Sequence, residues 1–150
     1  MPQRALINRI LVAIDGSENS RKALDVALYL AKKLRGEVTA LSIVDNSSLA
    51  TLSEDVATYP LYETLQSLAQ RVLEDARRVG REKGTEVKTE VATGSPAHEI
   101  LRLSENFDLV VVGTMGKTGL SYFLLGSVAD KVVRRSKVPV LVVPLKKEES

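Results

Sequence analysis

The chain has 150 residues, of which 44% are hydrophobic, 27% charged and 4% aromatic, a size and composition that predict a single domain over residues 1–150. The 21 Lys and Arg residues nearly balance the 19 Asp and Glu residues, and a net charge of +2 with so few aromatic side chains argues against a nucleic-acid partner. The absence of cysteine excludes disulfides, cysteine-ligated metal centres and thiol catalysis, and the single histidine makes a histidine-based metal site implausible.

The first half of the chain alternates strand and helix patterns. Residues 10–14 form a short apolar run that is typical of a strand buried on both faces. We expect the following helix, which carries an amphipathic stripe, to be capped by Ser17 and ended by Gly36. A second strand is predicted over residues 38–44. Residues 45–60 show no periodicity and predict a loop, which is long enough to be functional or mobile.

The second half continues the same alternation. The apolar spacing from Leu61 to Val79 predicts a long helix that is closed by Gly84, and residues 86–92 alternate as a strand with one wet face does at a sheet edge. The remaining predicted elements are a helix that begins at Ser95-Pro96, a buried strand over 109–112, a helix that begins at Gly126-Ser127 and an apolar last strand over 139–144. This order implies an α/β fold, an open parallel sheet with helices on both faces.

No segment predicts export or membrane insertion. Residues 1–9 lack the apolar core of a leader peptide. The longest apolar runs are far shorter than the ~20 residues that span a bilayer. We therefore expect a cytoplasmic protein with no membrane partner.

The segment after the fourth predicted strand carries the strongest chemical signal. In open parallel sheets, ligands bind beyond the carboxyl ends of the strands, where the strand order reverses. Gly113 and Gly116 allow backbone N–H groups to approach a phosphate, and Gly126-Ser127 begins a helix whose free N–H groups favour an anion. Lys117 can add a positive charge. The pattern predicts a polyphosphate-binding loop, and a loop whose glycines only make turns is the alternative.

Two common nucleotide motifs are missing. A Walker A loop needs a glycine five positions before Gly116, where Val111 stands, and the dinucleotide fingerprint is absent from the turn at residues 15–17. Neither a P-loop NTPase nor a classical NAD enzyme is therefore indicated. Asp15 lies at a strand's carboxyl end, which favours a nucleotide role over simple capping of the next helix. His98 is expected to be a solvated surface residue.

The spacing Gly113-x2-Gly116-x9-Gly126-Ser127 resembles the ATP-binding signature of the universal stress protein family. The resemblance runs over nearly the whole chain and includes the first strand with its Asp-Gly-Ser turn, the Gly94-Ser95-Pro96 turn and the last strand. The positions that match the family's nucleotide-contacting residues are Ala13, Asp15, Ile43, Gly113, Met115, Gly116, Lys117, Gly126, Ser127 and Val128. The resemblance implies binding of ATP, or of AMP or ADP, with Mg²⁺ or Mn²⁺.

The resemblance also implies roles for these residues. Ala13 would lie beneath the nucleoside, and the backbone of Ile43 would hydrogen-bond the adenine edge. Asp15 would lie near the ribose and phosphates and meet a metal ion only through the nucleotide. The segments that contain Gly113 and Gly126 would contact the ribose and phosphates. Met115 stands where the family often has Arg or His, which removes one polar contact.

The family fold implies a Rossmann-like sheet of five strands in the order 3-2-1-4-5, with strands 3 and 5 at the edges. The last strand, 139–144, is apolar on both faces, and an exposed apolar edge is an aggregation hazard. We therefore expect a homodimer through this strand, as in family dimers, with a monomer as the alternative.

The function that the resemblance implies is that of a nucleotide-dependent regulatory protein of the stress response, which acts on an unidentified protein partner. We expect at most slow ATP hydrolysis, because no histidine, cysteine or lysine–acid pair is evident beside the predicted loop as a base or nucleophile. An ATP-using enzyme of the same fold, a slow ATPase or phosphotransferase, is the alternative. The loop over 45–60 is placed either to close over the nucleotide or to serve as a connector.

Overall fold

Strands and helices alternate strictly along the chain in the computed structural model, which describes residues 6–47, 58–115 and 125–145. The strands are β1 (Arg9–Ala13), β2 (Glu37–Val44), β3 (Val87–Thr93), β4 (Leu109–Gly113) and β5 (Val140–Val143). The helices are α1 (Glu18–Leu34), α2 (Thr58–Glu82), α3 (Pro96–Ser104) and α4 (Ser127–Arg135). None of the helices in the described ranges is long and apolar enough to cross a membrane.

The strands form one parallel sheet in the order β3-β2-β1-β4-β5, which confirms the expected topology. The central strand β1 pairs with β2 and β4, so that Val12 lies beside Ala40 on one side and Val111 on the other. The chain leaves β1 toward β2 and later returns to pair β4 on the opposite side. This reversal of strand order leaves a crevice at the carboxyl ends of β1 and β4.

Two layers of helices cover the two faces of the sheet. Ile10 and Val12 of β1 belong to the core that packs against α1 and α2, whereas Leu11 and Ala13 belong to the core on the α3 and α4 side. Ile10, Leu11 and Val12 are fully buried. Because successive side chains of a strand point to opposite faces, only a strand covered on both sides needs such an uninterrupted apolar run.

The end of α1 differs from the predicted one. The helix ends at Leu34, and the residue in the left-handed conformation is Arg35, with φ 56°, rather than Gly36. Gly36 is needed for close approach, because a Cβ atom there would lie 2.5 Å from the carbonyl oxygen of Asn8. The glycine therefore seats the start of β2 beside the chain that enters β1.

The predicted loop over 45–60 is also wrong at its end, since α2 already begins at Thr58. Pro60 lies in the first turn of this helix. A proline is tolerated there because the N–H groups of the first turn have no intrahelical partner to lose. Residues 48–57 lie outside the described part of the chain.

The two edges of the sheet differ in polarity. In β3 the side chains of Lys88 and Glu90 are exposed and alternate with more buried neighbours, as expected for a wet edge. In β5, Leu141 is 37% exposed, although the strand pairs with β4 along its whole length. The apolar edge of the sheet is thus the last strand.

Candidate functional site

A cavity of about 460 Å³ opens at the carboxyl ends of β1, β2 and β4. This volume is within the usual range for sites that bind small molecules. The cavity lies where the strand order reverses, which is the place at which open parallel sheets bind their ligands. Its walls come from the ends of these strands, from α2 and α3, and from the first residues of α4.

Most of the residues singled out from the sequence meet in this cavity. Its lining includes Ala13, Asp15, Ile43, Gly113, Met115, Gly126, Ser127 and Val128. Gly116 and Lys117 lie outside the described residues. His98 is exposed on α3, away from the lining. The structure thus brings the predicted residues to one place, while their individual roles toward a ligand stay predictions.

The start of α4 lines the cavity. Its N-cap residue is Gly126, so no side chain among the described residues caps the helix, and the first intrahelical bond is donated by the N–H of Asp130 to the Gly126 carbonyl at 2.9 Å. The N–H groups of Ser127, Val128 and Ala129, which precede that bond, have no acceptor within the helix. Together with the helix dipole, such N–H groups favour a negatively charged ligand.

The start of α1, beside the same cavity, is capped by a side chain of its own N-cap residue. Ser17 is the N-cap residue, and its hydroxyl accepts a hydrogen bond from the Ser20 N–H at 3.2 Å. Asp15 Oδ1 accepts from the Ser17 N–H at 2.9 Å, while the Asp15 N–H donates to Ser20 Oγ at 3.2 Å. Asp15 therefore serves the local turn with one carboxylate oxygen and lines the cavity as well.

The described lining carries acidic charge. Asp15 and Asp45 are its charged residues, and no lysine, arginine or histidine is among the described lining residues. Asp45 Oδ1 accepts hydrogen bonds from the N–H and hydroxyl of Ser47 at 3.0 and 2.6 Å. Within this part of the chain, an anionic ligand would therefore be received by backbone N–H groups rather than by basic side chains.

The apolar wall of the cavity comes from residues that the sequence analysis did not assign to the site. It is formed by Leu65, Leu68, Ala69 and Val72 of α2 together with Pro96 and Ile100 of α3. Leu68 is 43% exposed although it is apolar and belongs to the helix stripe. This wall could have been inferred from α2, because its apolar stripe begins well before the part of the helix that packs on the sheet core.

Asn19 is the second feature that the sequence analysis missed. It lies in the first turn of α1 and is only 2% exposed. Its amide contacts the residues that follow β4 and the end of β5. The available signal was its position four residues before Ala23, which places it on the buried stripe of the helix.

The chain is similar to known proteins over most of its length. Residues 7–144 match the universal stress protein family. Universal stress protein MJ0531 of Methanocaldococcus jannaschii is 38% identical over 146 residues, which cover 96% of this chain and 86% of that protein. Universal stress protein YxiE of Bacillus subtilis is 37% identical over 92% of this chain and 99% of its own length.

Solved structures share the fold. Universal stress protein UspA from Lactobacillus plantarum is 27% identical, with a TM-score of 0.78 over 91% of this chain and 97% of that chain. Two more distant neighbours were solved with adenine nucleotides. One is a universal stress protein in complex with cAMP, at 24% identity and a TM-score of 0.57, and the other is an Archaeoglobus fulgidus protein in complex with dAMP, at 21% and 0.66.

Proposed function

Since the chain belongs to the universal stress protein family, we propose that its cavity binds an adenine nucleotide, with ATP as the physiological ligand, and that nucleotide occupancy regulates contacts with a protein partner. The observation that carries the proposal is the start of α4. Its first N–H groups lack an intrahelical acceptor, its N-cap residue has no side chain, and its residues line the cavity.

The phosphates would bind at the side of the cavity that Gly113 and Gly126 line. A Cβ atom on Gly126 would lie 3.0 Å from the Thr114 carbonyl oxygen, so that this approach is tight even for the smallest side chain. A larger residue would stand directly before the helix start, where a phosphate is expected. Since the described lining holds no basic side chain, oriented N–H groups carry the proposed phosphate binding in this part of the chain.

The adenosine fits the apolar side. Ala13 would lie beneath the nucleoside, and the Ile43 backbone at the end of β2 would meet the adenine edge. Leu65 and Leu68 of α2 face the same space and would cover the flat base with apolar surface. Proteins of this fold that were solved with cAMP and dAMP are consistent with an adenine site in this architecture.

A divalent cation would enter with the nucleotide. No group of three or more His, Cys, Asp or Glu side chains suited to a metal ion occurs among the described residues. Asp15 keeps one carboxylate oxygen outside its bond to the Ser17 N–H, and Mg²⁺ prefers oxygen ligands and phosphates. We therefore assign Asp15 to a Mg²⁺ or Mn²⁺ ion that the nucleotide holds, rather than to a metal site of the protein.

Regulation is favoured over catalysis for this site. Fast phosphoryl transfer needs a placed base and a cation that stabilises the transition state. The charged side chains of the described lining are two carboxylates, and each accepts a hydrogen bond within its own turn. We accordingly propose slow hydrolysis at most. A turnover above about 1 s⁻¹ would instead favour an ATP-using enzyme.

Co-purified nucleotide tests the proposal. The purified protein is treated with acid, the released small molecules are separated by chromatography, and the melting temperature of the protein is measured with and without added ATP. We expect released adenine nucleotide, or a melting temperature that rises with the logarithm of the ATP concentration above Kd. Neither released nucleotide nor an ATP-induced shift would refute nucleotide binding.

We also propose a homodimer through the last strand, residues 139–144. Leu141 of β5 and Val133 of α4 are 37% and 44% exposed. A second copy would cover this apolar surface and the free edge of the strand. Light scattering at micromolar concentration tests the dimer, and a monomeric mass would refute it. The cytoplasmic location stays a prediction that cell fractionation checks.

A further inference from the structure

We infer that Asn19 is a positioning residue, which sets the turn at residues 113–115 beside the start of α4, where the phosphates would bind, and ties that turn to the last strand. The inference rests on the proposed nucleotide function. It concerns a residue that would not contact the nucleotide, since Asn19 is not part of the cavity lining.

Both polar atoms of the Asn19 amide are hydrogen-bonded inside the fold. Its Nδ2 donates a hydrogen bond to the Val143 carbonyl at 3.0 Å. Its Oδ1 accepts from the Met115 N–H at 2.6 Å and from the Thr114 hydroxyl at 3.2 Å. One buried side chain on α1 thus joins the end of β5 to the two residues that follow β4.

The same turn is bonded to the start of α4. The Thr114 N–H donates to the Val143 carbonyl at 3.1 Å, and the Thr114 carbonyl accepts from the Gly126 N–H at 2.7 Å. Asn19 therefore fixes Thr114, and Thr114 in turn holds the N-cap of α4. A rotation of the turn at residues 113–115 would displace the N–H groups that are proposed to meet the phosphates, although no ligand-contacting residue had changed.

The chemistry of the site requires an amide. A side chain at this position must donate to one carbonyl and accept from one N–H, and the amide carries both groups in a rigid plane. Burial makes each lost partner costly, because the Met115 N–H would be left without its acceptor.

Gly113 provides the space that the amide occupies. A Cβ atom on Gly113 would lie 2.7 Å from both Cγ and Oδ1 of Asn19. The backbone at Gly113 lies outside the left-handed region, so an alanine there would create a steric conflict with Asn19 and no backbone strain. Asn19 and Gly113 consequently form a matched pair that can be perturbed from either side.

The test compares the affinities of ATP and adenosine, measured by titration calorimetry on the full chain. We expect Asn19→Ala to weaken ATP binding about tenfold and adenosine binding by less than about twofold, because the nucleoside lies on the Ala13 and Ile43 side. A purely structural defect would weaken both ligands equally. The control is Ser104→Ala, which removes another buried side-chain bond, from Ser104 Oγ to the Leu101 carbonyl, at the far end of α3.

A double variant tests the contact between Asn19 and Gly113 in a second way. We expect Gly113→Ala alone to lower the ratio of ATP to adenosine affinity, since the new methyl group displaces the amide. In the double variant Asn19→Ala with Gly113→Ala, the methyl group enters the vacated space. The loss should therefore be no larger than for Asn19→Ala alone, whereas independent effects would multiply.

The outcomes separate the inference from the proposed function. A wild-type protein without affinity for ATP would refute the function and the inference together. A wild-type protein that binds ATP, with Asn19→Ala and Gly113→Ala variants that keep the wild-type affinity ratio, would overturn the inference alone. Should Asn19→Ala fail to fold, Asn19→Asp, which keeps the acceptor for the Met115 N–H and loses the donor to the Val143 carbonyl, decides on the same ratio.

Discussion

Two helices begin at the same edge of the sheet, and their first turns are completed in opposite ways. At the start of α1, the Ser17 hydroxyl accepts the Ser20 N–H and Asp15 accepts the Ser17 N–H, so two of the donors there are bonded by the chain's own side chains. At the start of α4, the N-cap residue is Gly126, which has no side chain that could cap the helix. The first arrangement stabilises the fold, and the second leaves the N–H groups that we propose to meet a ligand.

We propose that this difference separates the residues that stabilise the fold from those that bind the nucleotide along one surface. Both helix starts lie beside the cavity, and both carry the same dipole direction toward it. What distinguishes them is the residue before the helix, a serine with its own acceptor in one case and a glycine without one in the other. Substitutions at the two starts should therefore differ in whether they change the affinity for a nucleotide or the free energy of unfolding.

The largest effect is expected at Gly126. In Gly126→Val, the branched side chain would stand before the open helix start and crowd the Thr114 carbonyl, which lies 3.0 Å from the site of a Cβ atom. We expect ATP affinity to fall about 100-fold or more, equivalent to about 2.7 kcal/mol, in a protein that still folds. Titration calorimetry and thermal melting measure the two quantities.

Gly84→Ala is the matched control for that variant. Gly84 has a φ of +77°, and a Cβ atom added to it would meet no other atom within 4 Å, so alanine brings backbone strain without a clash. It should lower the free energy of unfolding by about 1 kcal/mol and leave ATP affinity unchanged. Equal ATP affinities in Gly126→Val and the wild-type protein would show that the phosphates bind elsewhere.

Asp15→Asn tests the residue that both bonds the turn before α1 and lines the cavity. The asparagine keeps an oxygen acceptor for the Ser17 N–H, so the free energy of unfolding should change by less than about 0.5 kcal/mol. Because the carboxylate charge is lost, the affinity for ATP should fall about tenfold in the presence of Mg²⁺ and should not change in its absence. Calorimetry with and without Mg²⁺ checks this. If the affinity for ATP depended on Mg²⁺ in the same way in both proteins, the role of Asp15 would be limited to its hydrogen bond in the turn.

The smallest effects should come from a pair of serines. Ser17→Ala removes the cap of α1 and should lower the free energy of unfolding by about 1 kcal/mol, with ATP affinity within about twofold of wild type. Ser127→Ala is its counterpart in α4, where Ser127 is the first helical residue and lines the cavity. It should weaken ATP binding several-fold and leave stability unchanged. Urea denaturation measures the free energy of unfolding, and calorimetry measures the affinity for ATP. The comparison would be contradicted if both variants changed the same one of these two quantities.

The sequence was sufficient for features that depend on local pattern. The unbroken apolar run of β1 indicates a strand covered on both faces, and the five alternating units indicate a parallel sheet. The Gly126-Ser127 pair indicates the start of α4, and a glycine at the N-cap position brings no side chain that could cap the helix. The position of the cavity follows from the strand order, which came from the family resemblance rather than from the pattern itself.

Features that depend on distant partners could not be predicted. The Asn19 amide bonds Val143 and Met115, which are 124 and 96 residues away in the chain. Gly36 is needed beside the distant Asn8 carbonyl, and the residue in the left-handed conformation is Arg35. The apolar wall from α2 likewise depends on how that helix lies over the sheet, which its periodicity alone does not state.

The contrast between the two helix starts can be measured directly in solution. The amide resonances of Ser127, Val128 and Ala129 and those of residues 18–20 are followed by NMR while AMP and then ATP are added. We expect the α4 amides to shift, and to shift further with ATP than with AMP, while the amides of residues 18–20 change little. Larger shifts at residues 18–20, or α4 amides that do not respond to ATP, would contradict phosphate binding at the open helix start.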